Sequence, residues 1–194
     1  MKENLDFIFL GLSHGFINDF DKEKELIEEI KPEIVLSEEM ENNKLNSDEE
    51  YKNFLDNKTH SLMTSFEEVE KLAKLCKEKK IKLIGIDFKN FGFSKEVSHK
   101  LKEGQPFDSE EEIKINNLVK KREKNHLKEI LKFKESSKKP ILVFLGSWHL
   151  RKGGLLTKKI RKSKIIFPAN KGGDLVFEPT KEKIVYMEKI IWRK

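Results

Sequence analysis

Five short apolar runs, most of them separated by stretches long enough to form a helix, constrain this chain more than any other feature. They are Leu5–Leu10, Ile34–Leu36, Ile81–Ile86, Ile141–Leu145 and Ile165–Phe167. Runs of this length with turn residues around them read as strands buried on both faces of a sheet. Between them, apolar residues fall at helical spacing. Leu26, Ile27 and Ile30 share one face of a helix that Asp19 or Asp21 caps and that ends before Pro32. Phe66, Val69, Leu72, Ala73 and Cys76 line another, behind a capping pair at Ser65 and Glu68. A second pair, Ser109 and Glu112, opens a long helix running to about Glu135, and a short helix covers Leu155–Arg161.

Strands alternating with helices predict an α/β fold of three layers. It has a central, mainly parallel sheet with flanking helices, in a single domain over residues 1–194. Leu175–Phe177 and Ile184–Ile191 read as C-terminal antiparallel edge strands or a hairpin. Two stretches stay irregular in this reading. One is Met40 to about Met63, with one short helix around Glu49–Leu55; the other is Phe88–Asp108.

Charge narrows the function classes. Charged residues make up 38% of the chain and the formal net charge is +6, with Lys and Glu mixed as on solvated helix faces. The densest basic stretch, from Arg151 to Lys164, carries no aromatic between its basic residues, so nucleic acid is not an expected partner. The single cysteine, Cys76, cannot build a disulfide framework and reads as a small buried hydrophobe. No signal-like segment opens the chain and no apolar stretch is long enough to span a bilayer. The expectation is a cytoplasmic protein with no membrane partner.

The chemistry is expected at the carboxyl ends of the strands, where open parallel sheets bind their ligands. The first four strands are followed by His14, Glu38 (with Glu39 beside it), Asp87 and His149. Singly, each reads as a cap or a hydrogen-bonding residue. Together they form a rim. The long helix adds a further candidate. Ile115, Val119, Arg122, His126, Ile130 and Phe133 lie on one stripe, and Arg122 interrupts it. An unpaired guanidinium is costly to bury. Arg122 therefore snorkels, pairs with Glu38 or Asp87, or points into the rim to hold a carboxylate or a substrate anion. His126, one turn on, reads as a satisfied core histidine.

Two histidines and a carboxylate, here His14, Glu38 and His149, are a ligand set for a divalent metal ion with open positions for water and substrate. The same residues could work without metal, one histidine serving as general base while Arg122 or the other histidine stabilises an oxyanion. Ser13 and Ser147 do not sit in a nucleophile elbow. His60 and His99 fall in the irregular stretches, and no phosphate-cradling glycine loop is present.

The order of motifs resembles the superfamily that groups TraB/PrgY, GumN, Tiki, ChaN-like and erythromycin-esterase-like proteins. The matching pieces are Gly11-Leu-Ser-His14, Lys31-Pro-Glu-Ile-Val-Leu-Ser-Glu38, Gly85-Ile-Asp87, Arg122, and Leu145-Gly-Ser-Trp-His149. They span about Phe7 to Leu150. Trp148 stands where a small residue is usual, which would narrow the pocket or pack beneath it. The resemblance implies a two-halved pseudo-repeat around one polar pocket, with His14, Glu38, Arg122 and His149 functional and Asp87 in support. It implies a hydrolase cleaving an ester or amide bond in a small-molecule or peptide substrate. The alternative is a non-catalytic protein on the same fold, binding a small anion, a metal or a haem-like ligand. A homodimer would follow if Ile184–Trp192 lay at a sheet edge.

Overall fold

The computed structural model describes residues 5–12, 19–58, 66–167, 177–179 and 184–186. Six strands form one sheet: β1 (Phe7–Leu12), β2 (Ile34–Ser37), β3 (Lys44–Leu45), β4 (Lys82–Gly85), β5 (Ile141–Gly146) and β6 (Ser163–Ile166). Their spatial order is β3-β4-β2-β5-β1-β6, parallel throughout except for the short antiparallel β3. The helices are α1 (Asp19–Ile30), α2 (Asp48–Asn57), α3 (Phe66–Glu78), α4 (Lys95–Glu103), α5 (Ser109–Leu131) and α6 (Leu155–Lys159).

Every residue of β1, β2 and β5 is buried, which explains why these strands read as unbroken apolar runs. The period of two splits their side chains between two cores. Ile8, Leu10, Leu12, Val35, Leu142 and Phe144 face α1, α2 and α3, meeting Leu26, Ile27, Tyr51, Leu72 and Cys76. Phe7, Phe9, Leu36, Val143 and Leu145 face the other way, onto Ile130 of α5 and Leu156 of α6. The fold is therefore a three-layer α/β arrangement.

The crossovers sort by direction. From β1 to β2 and from β2 to β4 the chain moves toward β3, and the helices of these crossovers lie on the α1–α3 face. From β4 to β5 and from β5 to β6 it moves the opposite way, over the α5–α6 face. One crossover hand requires this pairing of direction with face. As a result the connections leaving β4, β2, β5 and β1, taken in spatial order, depart to alternate faces. The loops part above the carboxyl ends of these strands and leave room for a site there.

Several elements differ from the sequence reading. The helix cap predicted at Ser109 lies one residue earlier. Asp108 accepts from the Glu111 backbone and Glu111 reaches back to the Asp108 backbone, because an aspartate already offers the oxygen a cap needs. The same helix stops at Leu131 rather than Glu135. Within Met40–Met63, Ser47 and Glu50 build a complete capping box for α2. Within Phe88–Asp108, Ser94 caps α4 and Gly104 closes it in the left-handed conformation. The C-terminal pair forms as an antiparallel ribbon, β7 (Phe177–Pro179) with β8 (Ile184–Tyr186), and not as edge strands of the main sheet. The Ser65–Glu68 cap lies outside the described side chains, as do residues 187–192 of the dimer expectation. Among the described residues no helix is long and apolar enough to cross a membrane.

Candidate functional site

Three strand ends and one helix build the site. The residue after β2 is Glu38, whose backbone N–H still bonds Phe144 of β5. Its side chain turns across the strand ends, and Oε1 accepts from the Gly146 N–H at 2.7 Å. Beyond β4, Ile86 leads to Asp87. Gly85 permits the tight exit: a Cβ there would lie 2.2 Å from the Glu41 carbonyl oxygen. After β5 a 3-10 turn over Ser147–Leu150 carries His149 inward, and Ser147 Oγ donates to the Leu12 carbonyl at 3.1 Å. From α5 come Arg122, Glu123 and His126. All six side chains are buried: Glu38 is 1% exposed, Asp87 3%, Arg122 8%, Glu123 5%, His126 0% and His149 5%.

Asp87 is the hub of one half. Its Oδ2 accepts from Arg122 Nε at 2.8 Å and Nη2 at 2.5 Å, and Oδ1 accepts from the Phe88 N–H at 2.7 Å. His126 Nε2 approaches the same Oδ2 to 2.9 Å, off the straight line of a full hydrogen bond. Arg122 Nη2 also lies 3.9 Å from Glu38 Oε2, and its guanidinium stacks on the Phe91 ring at 4.6 Å. Glu123 is the hub of the other half. Arg151 clamps it with both terminal nitrogens, and His149 Nδ1 faces it at 3.4 Å. The two imidazoles meet edge to face, 4.8 Å between centroids. His149 Nε2 faces Glu38 Oε2 at 3.6 Å.

Charge follows from this packing. Burial pushes the Asp87 carboxyl up, and His126 and Arg122 more than reverse it, leaving its pKa below the ordinary value. Burial also raises Glu123, but His149 and Arg151 pull it down to about 2. Burial lowers the pKa of His149 against the opposing pull of Glu123 and Glu38, favouring the neutral ring. Each histidine turns one nitrogen toward a carboxylate: His126 Nε2 toward Asp87 and His149 Nδ1 toward Glu123. His126 Nδ1 and Nε2 and His149 Nδ1 are all buried with no full hydrogen bond among the described residues.

Glu38, His126 and His149 each present one ligand atom within 4.8 Å of the others, so the group could hold a metal ion. Two ligands 2.1 Å from a tetrahedral metal sit about 3.4 Å apart. The 3.6 Å between Glu38 Oε2 and His149 Nε2 is close to that value. A carboxylate behind each histidine is the arrangement metal-ligating histidines adopt.

Of the residues read from the sequence, Glu38, Asp87, Arg122 and His149 come together. His14, with Ser13, lies outside the described residues, as does His60. Arg122 pairs with Asp87, one of the two partners read for it from the sequence. Asp87, ranked as support, bonds Arg122 and the Phe88 N–H and meets His126. Among the described residues the metal-capable set is Glu38, His126 and His149, and His126 was read from the sequence as a core histidine. Glu123 and Arg151 were missed. The signal for Glu123 was present: Val119, Arg122, Glu123, His126 and Ile130 follow the i, i+3, i+4, i+7 pattern of a buried face. His99 is exposed on α4, where it meets Glu103. At the far end of the sheet, a cleft of about 680 Å³ is lined by Lys31, Lys79, Lys80, Lys82 and Lys139. It sits by the carboxyl ends of α1 and α3, and Lys139 donates to the Lys31 carbonyl at 2.7 Å. These lysines answer helix dipoles.

No family model, no curated protein and no solved structure matches the chain.

Proposed function

We propose that the chain is a hydrolase of ester or amide bonds working at a divalent metal centre held by Glu38, His126 and His149. The observation that carries this reading is the buried ligand group itself, with Asp87 behind one histidine and Glu123 behind the other. A metal ion with three protein ligands of this kind supplies Lewis acidity and water activation at neutral pH.

The chain's own residues do the rest. Burial keeps His149 neutral, the form a ligand needs. Asp87 and Glu123 fix the two rings. Arg122, 3.9 Å from Glu38 Oε2, keeps a fixed positive charge beside the ligand group, which would favour an oxyanion formed there. In the reaction water attacks the acyl carbon, the C–O or C–N bond breaks, and the proton released by water leaves with the alcohol or amine. The motif order shared with the TraB and erythromycin-esterase-like superfamily supports the same substrate bond.

A second reading, a metal-binding protein without catalysis, is favoured by the depth of the ligands, none more than 5% exposed. One experiment separates them. The purified protein is loaded with zinc, dialysed and analysed for metal, then assayed against an ester and peptide panel beside Glu38→Gln and His126→Ala. Hydrolysis lost together with stoichiometric metal in both variants is the expected result. Metal without hydrolysis in the parent chain supports the second reading. A parent chain that holds no metal refutes the centre.

A further inference from the structure

Each histidine ends a relay of four groups. In one, the Phe91 ring lies under the Arg122 guanidinium, Arg122 bonds Asp87, and Asp87 faces His126. In the other, the Trp148 ring lies under the Arg151 guanidinium, Arg151 bonds Glu123, and Glu123 faces His149. The ring-to-guanidinium distance is 4.6 Å in both. We propose that Phe91 and Trp148 are positioning residues of the metal centre. Acting through the two arginines, they hold Asp87 in place beside His126 and Glu123 in place beside His149. This rests on the reading of Glu38, His126 and His149 as a cation site.

Arg122 shows why a platform is needed. It has two carboxylates in reach, Asp87 at 2.5 Å and Glu38 at 3.9 Å. Swinging to Glu38 would put a cation on the ligand carboxylate and release Asp87 from its place behind His126. The Phe91 ring covers the guanidinium face and favours the position over Asp87. The backbone is bent to deliver that ring. Asn90, Phe91 and Gly92 are consecutive left-handed residues, with φ of 52°, 53° and 77°. A phenylalanine adopts that region only when its surroundings force it. Here they do. Gly92 sits so near Leu118 that a Cβ would lie 2.9 Å from its Cδ1, and Leu118 is one helical turn before Arg122. Asn125 Nδ2 bonds the Ile86 carbonyl at 2.9 Å. The segment from Ile86 to Gly92 is thus fastened along one face of α5, and Phe91, only 9% exposed, is the part that meets Arg122. The second platform is more local: Arg151 stacks on Trp148 and also donates to its carbonyl at 3.0 Å.

Leucine packs at these positions without an aromatic face, which separates filling space from holding a cation. The test titrates cobalt(II) into the apo 194-residue chain and follows its visible absorption bands. The variants are Phe91→Leu, Phe91→Tyr, Trp148→Leu, Arg122→Met and the pair F91L/R122M. F91L and W148L should each weaken cobalt binding about fivefold, while F91Y binds as the parent chain does. In the R122M background, F91L should add nothing, because its effect passes through the arginine. A parent chain that binds no cobalt overturns the centre and this inference together. Cobalt bound by the parent and equally by F91L and W148L overturns this inference alone, as does an F91L loss that persists beside R122M. Urea midpoints check folding, and the half-buried Trp148 keeps the test alive should F91L fail to fold.

Discussion

Replacing Asp87 by asparagine isolates the energetics of the hub. The substitution keeps the shape of the side chain and removes its charge. Asp87 is 3% exposed and Arg122 8%, so the guanidinium would stay buried without its main partner. Removing one member of a buried pair costs about 3–5 kcal/mol. Glu38 remains 3.9 Å from Arg122 and offers partial compensation, which places the expected loss near the lower end, about 3 kcal/mol. For a chain of this size that is a Tm drop of about 6–12 °C. Urea denaturation followed by circular dichroism measures it. The companion D87N/R122M removes both charges and should recover much of the loss, since well-packed neutral replacements of a buried pair are often tolerated. The pH dependence has a definite sign. Asp87 ionises more readily folded than unfolded, so its contribution is present above its ordinary pKa of 3.8 and is lost as pH falls through the lower folded value. The gap between parent and D87N should be constant from neutral pH to about 5 and close in stronger acid. A D87N loss under about 1 kcal/mol, or a double variant equal to the sum of the singles, refutes the reasoning.

Chelation tests the metal: at a free ion concentration 100 times Kd, the bound form gains about 2.7 kcal/mol, so EDTA should lower Tm by about 5–10 °C. Gly85→Ala forces a Cβ against backbone atoms of Glu41 and should cost about 3 kcal/mol in the urea midpoint; an unchanged midpoint contradicts the close approach. Tyr51 donates from its hydroxyl to the buried Ile81 carbonyl at 2.7 Å, so Tyr51→Phe should lose about 1 kcal/mol by the same measurement. Cys76 is fully buried with its thiol pKa pushed up by burial; Ellman's reagent should label it only in urea, and fast labelling of the native chain would place it at the surface.

The strands were legible because both faces of the sheet are covered, so β1, β2, β4 and β5 announce themselves as apolar runs. α2 and α4 were less so. Their buried faces are narrow, Tyr51 and Phe54 in the first and Ser98 in the second, and too few apolar residues repeat to set a period. The two-residue β3 has no pattern at all. In the site, Glu38, Asp87 and His149 were found by position, since strand ends are where such folds place ligands. Arg122 was found by contradiction, a charge on an apolar stripe. Glu123 and His126 share that stripe, yet a lone buried histidine has an ordinary structural explanation. Only the tertiary pairing of His126 with Asp87 and of Glu123 with His149 separates the two meanings, and no local pattern encodes it. Arg151 was hidden in a run of basic residues whose other members remain on the surface.

The strand order bears on synthesis as well as on chemistry. Among the described strands β1 pairs only with β5 and β6, and β5 begins at Ile141, 129 residues after β1 ends at Leu12. At ~5–20 residues per second, translation takes on the order of ten seconds to cover that distance. Throughout it, an apolar strand waits with no native strand beside it, while β2 and β4 can already pair. A nascent chain halted before Ile141 would be caught with that edge open. The edge left open in that interval is Phe7–Leu12, and the strand that closes it also carries His149 into place.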